Sequence, residues 1–224
     1  MSYIQVGTRT SHRVRALLAF CLLAFSPAGA AQAQVLLQGL GGPEGFGPNQ
    51  LQRSDDLSTG PINLRGSFPN GLNFFGDSYF EFWINTNGSV SFGDEVRAFT
   101  PDPFPIADQP MIAPFWADVD LTGGAAGVYN GLYYATLPGR AVITWHEVGY
   151  HDQQVNRLNT FQLVLVDRSE ISPGDFDVEF RYDRLEWTTG DLDGGVNGLG
   201  GQPAQAGFDA GNLQDFLEQP GSRT

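Results

Sequence analysis

The sequence predicts an all-β fold, an antiparallel β-sandwich of jelly-roll-like type. Three observations predict it. Short runs alternate apolar and polar residues with period two, as in Phe176-Asp-Val-Glu-Phe-Arg-Tyr-Asp183, the pattern of a strand with one buried face. Asn-Gly and Pro-Gly pairs punctuate these runs at Asn87-Gly88, Asn130-Gly131 and Pro138-Gly139, the residues tight turns favour. Outside a weak "NLQDFLEQ" stretch near the end, the chain beyond residue 33 has no sustained helical period. Many short strands with frequent turns indicate a sandwich or a closely related barrel.

The first segment belongs to export and not to the fold. Arg9, Arg13 and Arg15 stand without an acid among them, the apolar run Ala16–Phe25 follows, and Ala31-Gln32-Ala33 ends it. A basic start, a short apolar run and an A-x-A site make residues 1–33 a signal peptide, expected to be cleaved. The run is shorter than the about 20 residues that span a bilayer. Cys21 sits inside it behind Phe20, which does not suit a lipid-modified cysteine. The mature chain is expected to be secreted, extracellular or in the cell envelope, with no transmembrane segment. Cys21 is the only cysteine and leaves with the signal. The remaining 191 of 224 residues can build a core that needs no disulfide. That points to a bacterial source more than an animal one.

Charge narrows the partners. Three of the 12 basic residues lie in the signal, leaving nine against 25 acids, a net charge of −16, and there is no Lys. Nucleic acid is excluded as an expected partner, because binding needs cations that displace counterions from phosphates. Anionic membranes are disfavoured on the same ground. Solubility outside the cell, or divalent cations, suits such a surface better.

Residues 34–60 contain "QGLGGPEGFGPNQ", a Gly/Pro-rich leader expected to be flexible, with one short strand at Val35–Leu37. Residues 61–224 are expected to form the sandwich domain. In "YFEFWIN", Phe80, Phe82 and Ile84 share one face and Glu81 lies opposite. In "TFQLVLVD", Phe161, Leu163 and Leu165 face one side while Val164 and Val166 make the other apolar, as in a central strand. Phe176, Val178, Phe180 and Tyr182 form a third apolar face. Asn87-Gly88 and Asn130-Gly131 are read as type I′ hairpin turns, and Ser172-Pro-Gly-Asp175 as a further link.

Two D-x-D pairs end in glycines: Asp118 with Asp120 in "APFWADVDLTGG", and Asp191 with Asp193 in "GDLDGGVNGLGG". Each pair falls on one face if extended, and each could supply part of the six to eight oxygens, roughly, that calcium takes. The EF-hand form fails at both, since position twelve is Tyr129 or Gln202. Asp and Gly also end strands as turn residues, and that structural reading ranks ahead of calcium. "His146-Glu-Val-Gly-Tyr-His151" spaces its histidines five apart in a strand, where a helical zinc motif needs four. Ser91 and Ser169 lack the G-x-S-x-G context of a nucleophile. Glu81, Glu147, Glu179 and Glu186 could pair as a glycosidase needs, yet alternation puts Glu on the solvent face anyway. The glycines from Gly194 to Gly201 lack the Lys-Ser/Thr of a phosphate loop and read as a mobile surface loop. Trp83, Trp116, Trp145 and Trp187 are core residues by default, and would serve a sugar only if exposed.

The order "FFGDSYFEFWINTNGSVSFG", "FTPDPFP", "MIAPFWADVD", "AVITWHEVGY", "LNTFQLVLVD", "DFDVEFRYDRLEWTTGD", "GVNGLGGQPAQAGFDAGN" and "LEQPGS" resembles the nidogen-like (NIDO) domain, from about Ile62 to the end. The resemblance implies an extracellular, non-catalytic adhesion or matrix module without an assigned metal. Two departures stand out. The family more often carries other polar or aromatic residues where this chain has His146 and His151. Its pattern also runs past the "PGS" step into a last strand, so the chain is expected to be a fragment or to lack that edge strand.

The leading expectation is therefore an exported cell-matrix adhesion module that binds an extracellular protein or glycan and uses no cofactor. The alternative is a calcium-assisted carbohydrate-binding domain using the Asp-Gly loops and exposed aromatics; a sandwich glycosidase ranks third. Secreted material is expected to begin at or near Gln34, and mass spectrometry of its N-terminus checks this. An intact segment from Met1 to Ala33 would overturn it.

Overall fold

The computed structural model describes residues 4–5, 35–107, 109–125 and 130–223. Two six-stranded antiparallel sheets pack face to face. The first runs in the order β1 (Ile4–Gln5), β12 (Phe176–Leu185), β11 (Gln154–Asp167), β10 (Arg140–Tyr150), β9 (Gly131–Leu137) and β2 (Asn49–Gln50). The second runs β14 (Phe216–Glu218), β13 (Gln205–Asp209), β8 (Met111–Trp116), β7 (Ser89–Ser91), β6 (Glu81–Asn85) and β3 (Ile62–Asn63). A small hairpin, β4 (Leu72–Phe74) with β5 (Asp77–Tyr79), stands apart. Apart from β1, the expected signal segment lies outside the described residues. The fold is the predicted all-β sandwich, and β11 is central in its sheet as its two apolar faces required.

The core follows the alternation. Phe82, Ile84, Phe161, Leu163, Leu165, Phe176 and Val178 are buried in one cluster, with Phe180 and Tyr182 half-buried against it. A column of rings crosses the two sheets. Trp145 stacks on Phe161 at 5.0 Å, Phe161 meets Phe115 at 5.2 Å, and Phe115 meets Trp187 edge-on at 5.2 Å. Each buried indole satisfies its N–H: Trp145 donates to the Thr86 carbonyl and Trp187 to that of Val148, both at 3.0 Å. Phe80 departs from the expectation. It precedes β6 and is only half-buried, with the Arg65 guanidinium 3.9 Å from its ring centre, a cation–π contact at the surface.

Several local expectations change for identifiable reasons. The β6–β7 link has three residues, because Asn85 pairs with Ser89. Only Gly88 takes positive φ (82°), so Asn87-Gly88 is not a type I′ pair; Asn87 is used for its side chain instead. At Asn130 φ is positive (57°), but residues 126–129, the expected opposing arm, lie outside the described residues. The Asn130 N–H donates to the Glu147 carbonyl, extending the β9–β10 pairing. The weak helical stretch near the end contains β14, held on β13 through Phe208–Leu217 pairing.

Both outer faces of the sandwich are covered. Residues 35–47 cross the first sheet. The Gln162 side chain brackets Leu37, accepting from its N–H and donating to its carbonyl; Arg181 donates to the Val35 carbonyl. Phe46 is buried, its ring 4.9 Å from His146. Val35–Leu37 is thus not a strand, and the expected flexible leader is tied down, because β11 offers an apolar outer face that must be covered. On the second sheet, Phe104, Met111, Ala113 and Trp116 form a smaller cluster with Val96 and Ile106, so the long β7–β8 connection covers that side.

Gly88 tests this close packing. A Cβ there would sit 1.7 Å from the Phe115 carbonyl oxygen, so Gly88→Ala combines left-handed strain with a backbone clash and is expected to cost roughly 2–5 kcal/mol. Gly93 has φ of 91° with open space around its missing Cβ, and Gly93→Ala is expected to cost only about 1–2 kcal/mol. Denaturant unfolding of the two variants checks the ranking; equal losses would refute it.

Candidate functional site

At the end of the sandwich where β8 leaves the second sheet, five loops meet. Asn87, on one of them, ties two others to it. Its backbone carbonyl accepts the Ala117 N–H at 3.2 Å and its Oδ1 accepts the Val119 N–H at 3.0 Å. Its Nδ2 donates to Asp56 Oδ1 at 2.7 Å. The chain after Trp116 is thereby turned inward, and the loop holding Asp55 and Asp56 is brought onto it.

The aspartates of "ADVD", charged residues at a strand end, would ordinarily reach solvent. They do not: Asp118 is 2 % exposed and Asp120 3 %. The loops around residues 55, 151 and 190 close over them. Asp120 spends both oxygens on structure. Its Oδ1 accepts from the Thr122 N–H and hydroxyl, and its Oδ2 from the Gln153 N–H at 2.9 Å, an Asx turn that also ties the β10–β11 link. Asp118 keeps its carboxylate for the cluster. One oxygen each from Asp55, Asp56 and Asp118 lie within 4.8 Å of one another. His151 Nδ1 stands 3.3 Å from Asp118 Oδ2, without the geometry of a hydrogen bond to that oxygen.

The second predicted pair arrives at the same end in a different form. Asp191 and Asp193 lie in a single 3-10 turn, not an extended run. Asp191 Oδ1 accepts the Gly198 N–H at 2.9 Å, and Asp193 Oδ1 accepts the Thr100 hydroxyl at 2.6 Å. The glycine-rich loop read as mobile is pinned by these bonds and by the Thr188 and Thr189 N–H groups on the Gly198 carbonyl. Gly190 lies against Asp118: a Cβ there would stand 2.4 Å from Asp118 Cβ.

Electrostatics follow from this crowding. Burial pushes the Asp118 carboxyl up to about 7; His151 opposes the shift, and Asp55, Asp56 and Asp193 add to it. Asp55, open to water on one side, rises to about 6, through partial desolvation first and then Asp120 and Asp56. The sequence reading missed Asp55 and Asp56, because they fall inside the presumed leader. The adjacent acids of "RSDD" were the available signal.

The other candidates do not converge. His146 packs on Phe46 at the outer face, where burial lowers its pKa, whereas His151 faces Asp118. A β-bulge at Glu147, with φ of 49°, separates them. Glu147 pairs with Arg184 at 3.0 Å and Glu179 with Arg181 at 2.6 Å, while Glu186 accepts the Leu158 N–H. Trp116, Trp145 and Trp187 are buried and Trp83 half-buried, so they form no exposed row for a sugar. An apolar groove of about 220 Å³ lies elsewhere, among Pro114, Tyr182, Leu185, Ala204 and Pro220. No helix among the described residues is long and apolar enough to cross a membrane.

Comparison with known proteins agrees with the motif order. The model of the nidogen-like domain matches residues 80–137 and 136–224. Alpha-tectorin of Mus musculus is 38% identical over 200 residues, covering 76% of this chain and 9% of that protein. Alpha-tectorin of Gallus gallus is 35% identical over 210 residues, covering 80% and 9%. Nidogen of Drosophila melanogaster is 31% identical over 208 residues, covering 77% and 14%. The chain thus spans about a tenth of the length of these relatives. All three are animal proteins and lend no support to a bacterial source. No solved structure matches significantly. With two sheets, motif order and relatives in agreement, the chain belongs to the nidogen-like domain family.

Proposed function

We propose that this chain is an exported, non-catalytic module of extracellular-matrix type, which binds another macromolecule, protein or glycan, in cell-matrix adhesion. Family membership over most of the chain carries the reading. The architecture supports a contact through loops. Coverings occupy much of the outer faces of both sheets, which turns attention to the loop end of the sandwich as a contact surface. At the acidic end the 190s loop presents Leu192, Val196 and Leu199 at 58%, 72% and 41% exposure. Apolar side chains set among polar ones are what a partner surface uses.

The purified mature domain, coated on a surface, is expected to retain decellularised matrix or intact cells saturably, above a heat-unfolded control. Replacing Leu192, Val196 and Leu199 together by Ser is expected to weaken retention at least about tenfold, a loss of roughly 1.4 kcal/mol. The melting temperature should hardly move, since exposed sites contribute within about 0.5 kcal/mol each. Retention no better than the control would sink the adhesion reading. Turnover of a peptide, ester or glycoside, lost in Glu147→Gln, would replace it with an enzyme.

A further inference from the structure

We infer that Asp55, Asp56 and Asp118 form a calcium site at the loop end of the sandwich, independent of the adhesion reading. Three carboxylate oxygens from two separate segments converge within 4.8 Å. Clustered acids alone would not make a site, but the state of Asp118 adds a second observation. Its Oδ2 is buried and receives no hydrogen bond, although the side chain is 3% exposed. Buried carboxylate oxygens ordinarily accept donors, and leaving one without a donor is costly. The nearby His151 ring does not supply that donor, and Asp193 leaves a second buried oxygen, Oδ2, in the same condition. Thr189, fully buried beside Gly190, likewise has a hydroxyl without a partner.

The chemistry selects the ion. The converging donors are all carboxylate oxygens, which suit a hard cation and not a thiophilic one. Calcium accepts irregular shells of six to eight oxygens, roughly, whereas magnesium demands near-octahedral geometry and gives up water reluctantly. Two adjacent acids on one loop and one buried acid on another make an irregular, partly dehydrated set, which favours calcium. Carbonyls and water complete the shell. Gly190 fits the same role, since its missing Cβ leaves room for the loop to close over Asp118. Asp120 is not assigned as a ligand, because hydrogen bonds hold both of its oxygens, and Asp191 does not converge with the three carboxylates.

The test titrates calcium chloride into the chelator-treated mature protein, by calorimetry and thermal melting, with magnesium chloride in parallel. A saturable calcium isotherm is expected, with a rise in melting temperature of roughly 5–10 °C at a hundredfold excess over Kd. Magnesium should give a much smaller rise. Asp118→Asn should abolish the calcium response while melting in chelator at or above the wild-type temperature, because it removes charge repulsion. Asp55→Asn, at an exposed position, should weaken the response at least tenfold, and it decides the matter should Asp118→Asn fail to fold. Glu170→Gln, remote from the cluster, should respond as wild type. No saturable binding, equal responses to both cations, or a full response in folded Asp118→Asn or Asp55→Asn would overturn the site.

Discussion

The approach of the Thr86-Asn87-Gly88 turn to the end of β8 is the constraint on which the functional end depends. Gly88 gives its carbonyl to the Phe115 N–H and Asn87 its own to that of Ala117, so the two chains run close enough to exclude any side chain at 88. Once that distance is set, the Asn87 amide has no freedom. One side takes the Val119 N–H and the other holds Asp56. A buried Asn with both ends engaged acts as a spacer of fixed length, because leaving either end unpaired costs about 1–3 kcal/mol. The spacing of the Asp55-Asp56 loop from Asp118 is therefore set by a neutral side chain that holds one of the three acids, Asp56, directly.

The coverings on the outer faces have a related logic. A sandwich normally shows alternation, with polar residues outward. Here β10 and β11 bury Val142, Thr144, Gln162 and Val164 outside the main core. Thr144 and Gln162 satisfy each other, the amide donating to the hydroxyl at 2.7 Å, and Gln162 also holds Leu37. The polar residues on that face thus serve as the attachment for the covering segment, and the apolar ones are what it covers.

How much of this was legible in the sequence depends on the range of the forces involved. Faces of β6, β11 and β12 were legible because alternation is local, and burial follows from it at Phe82, Phe161 and Phe176. Phe80 was misplaced because β6 begins one residue later, beyond what period two can fix. The leader misled because Gly and Pro signal irregular backbone, which is correct, but irregular backbone is not unattached backbone. Its attachment runs through Gln162, 125 positions away, and no local pattern encodes that. Of the candidate site, Asp118 was legible as a D-x-D acid, yet its partners were not. Asp120 and Asp191 look like it in sequence, yet backbone N–H groups reach an oxygen of each, and Asp191 sits in a less buried 3-10 turn.

That difference bears on what the acidic end is for. The Asx turn at Asp120 stabilises this end by filling a carboxylate with donors. Asp118 is buried as deeply, lies among Asp55, Asp56 and Asp193, and has one oxygen left without a hydrogen bond. In a fold that needed only a turn here, an Asn would satisfy the same backbone without the repulsion, as Asn87 and Asn130 do nearby. A buried charge is tolerable when a countercharge accompanies it. His151, the one base in direct contact with Asp118 among the described residues, balances one carboxylate and not three. The arrangement is unfavourable as a purely structural device and becomes favourable with a cation among the carboxylates.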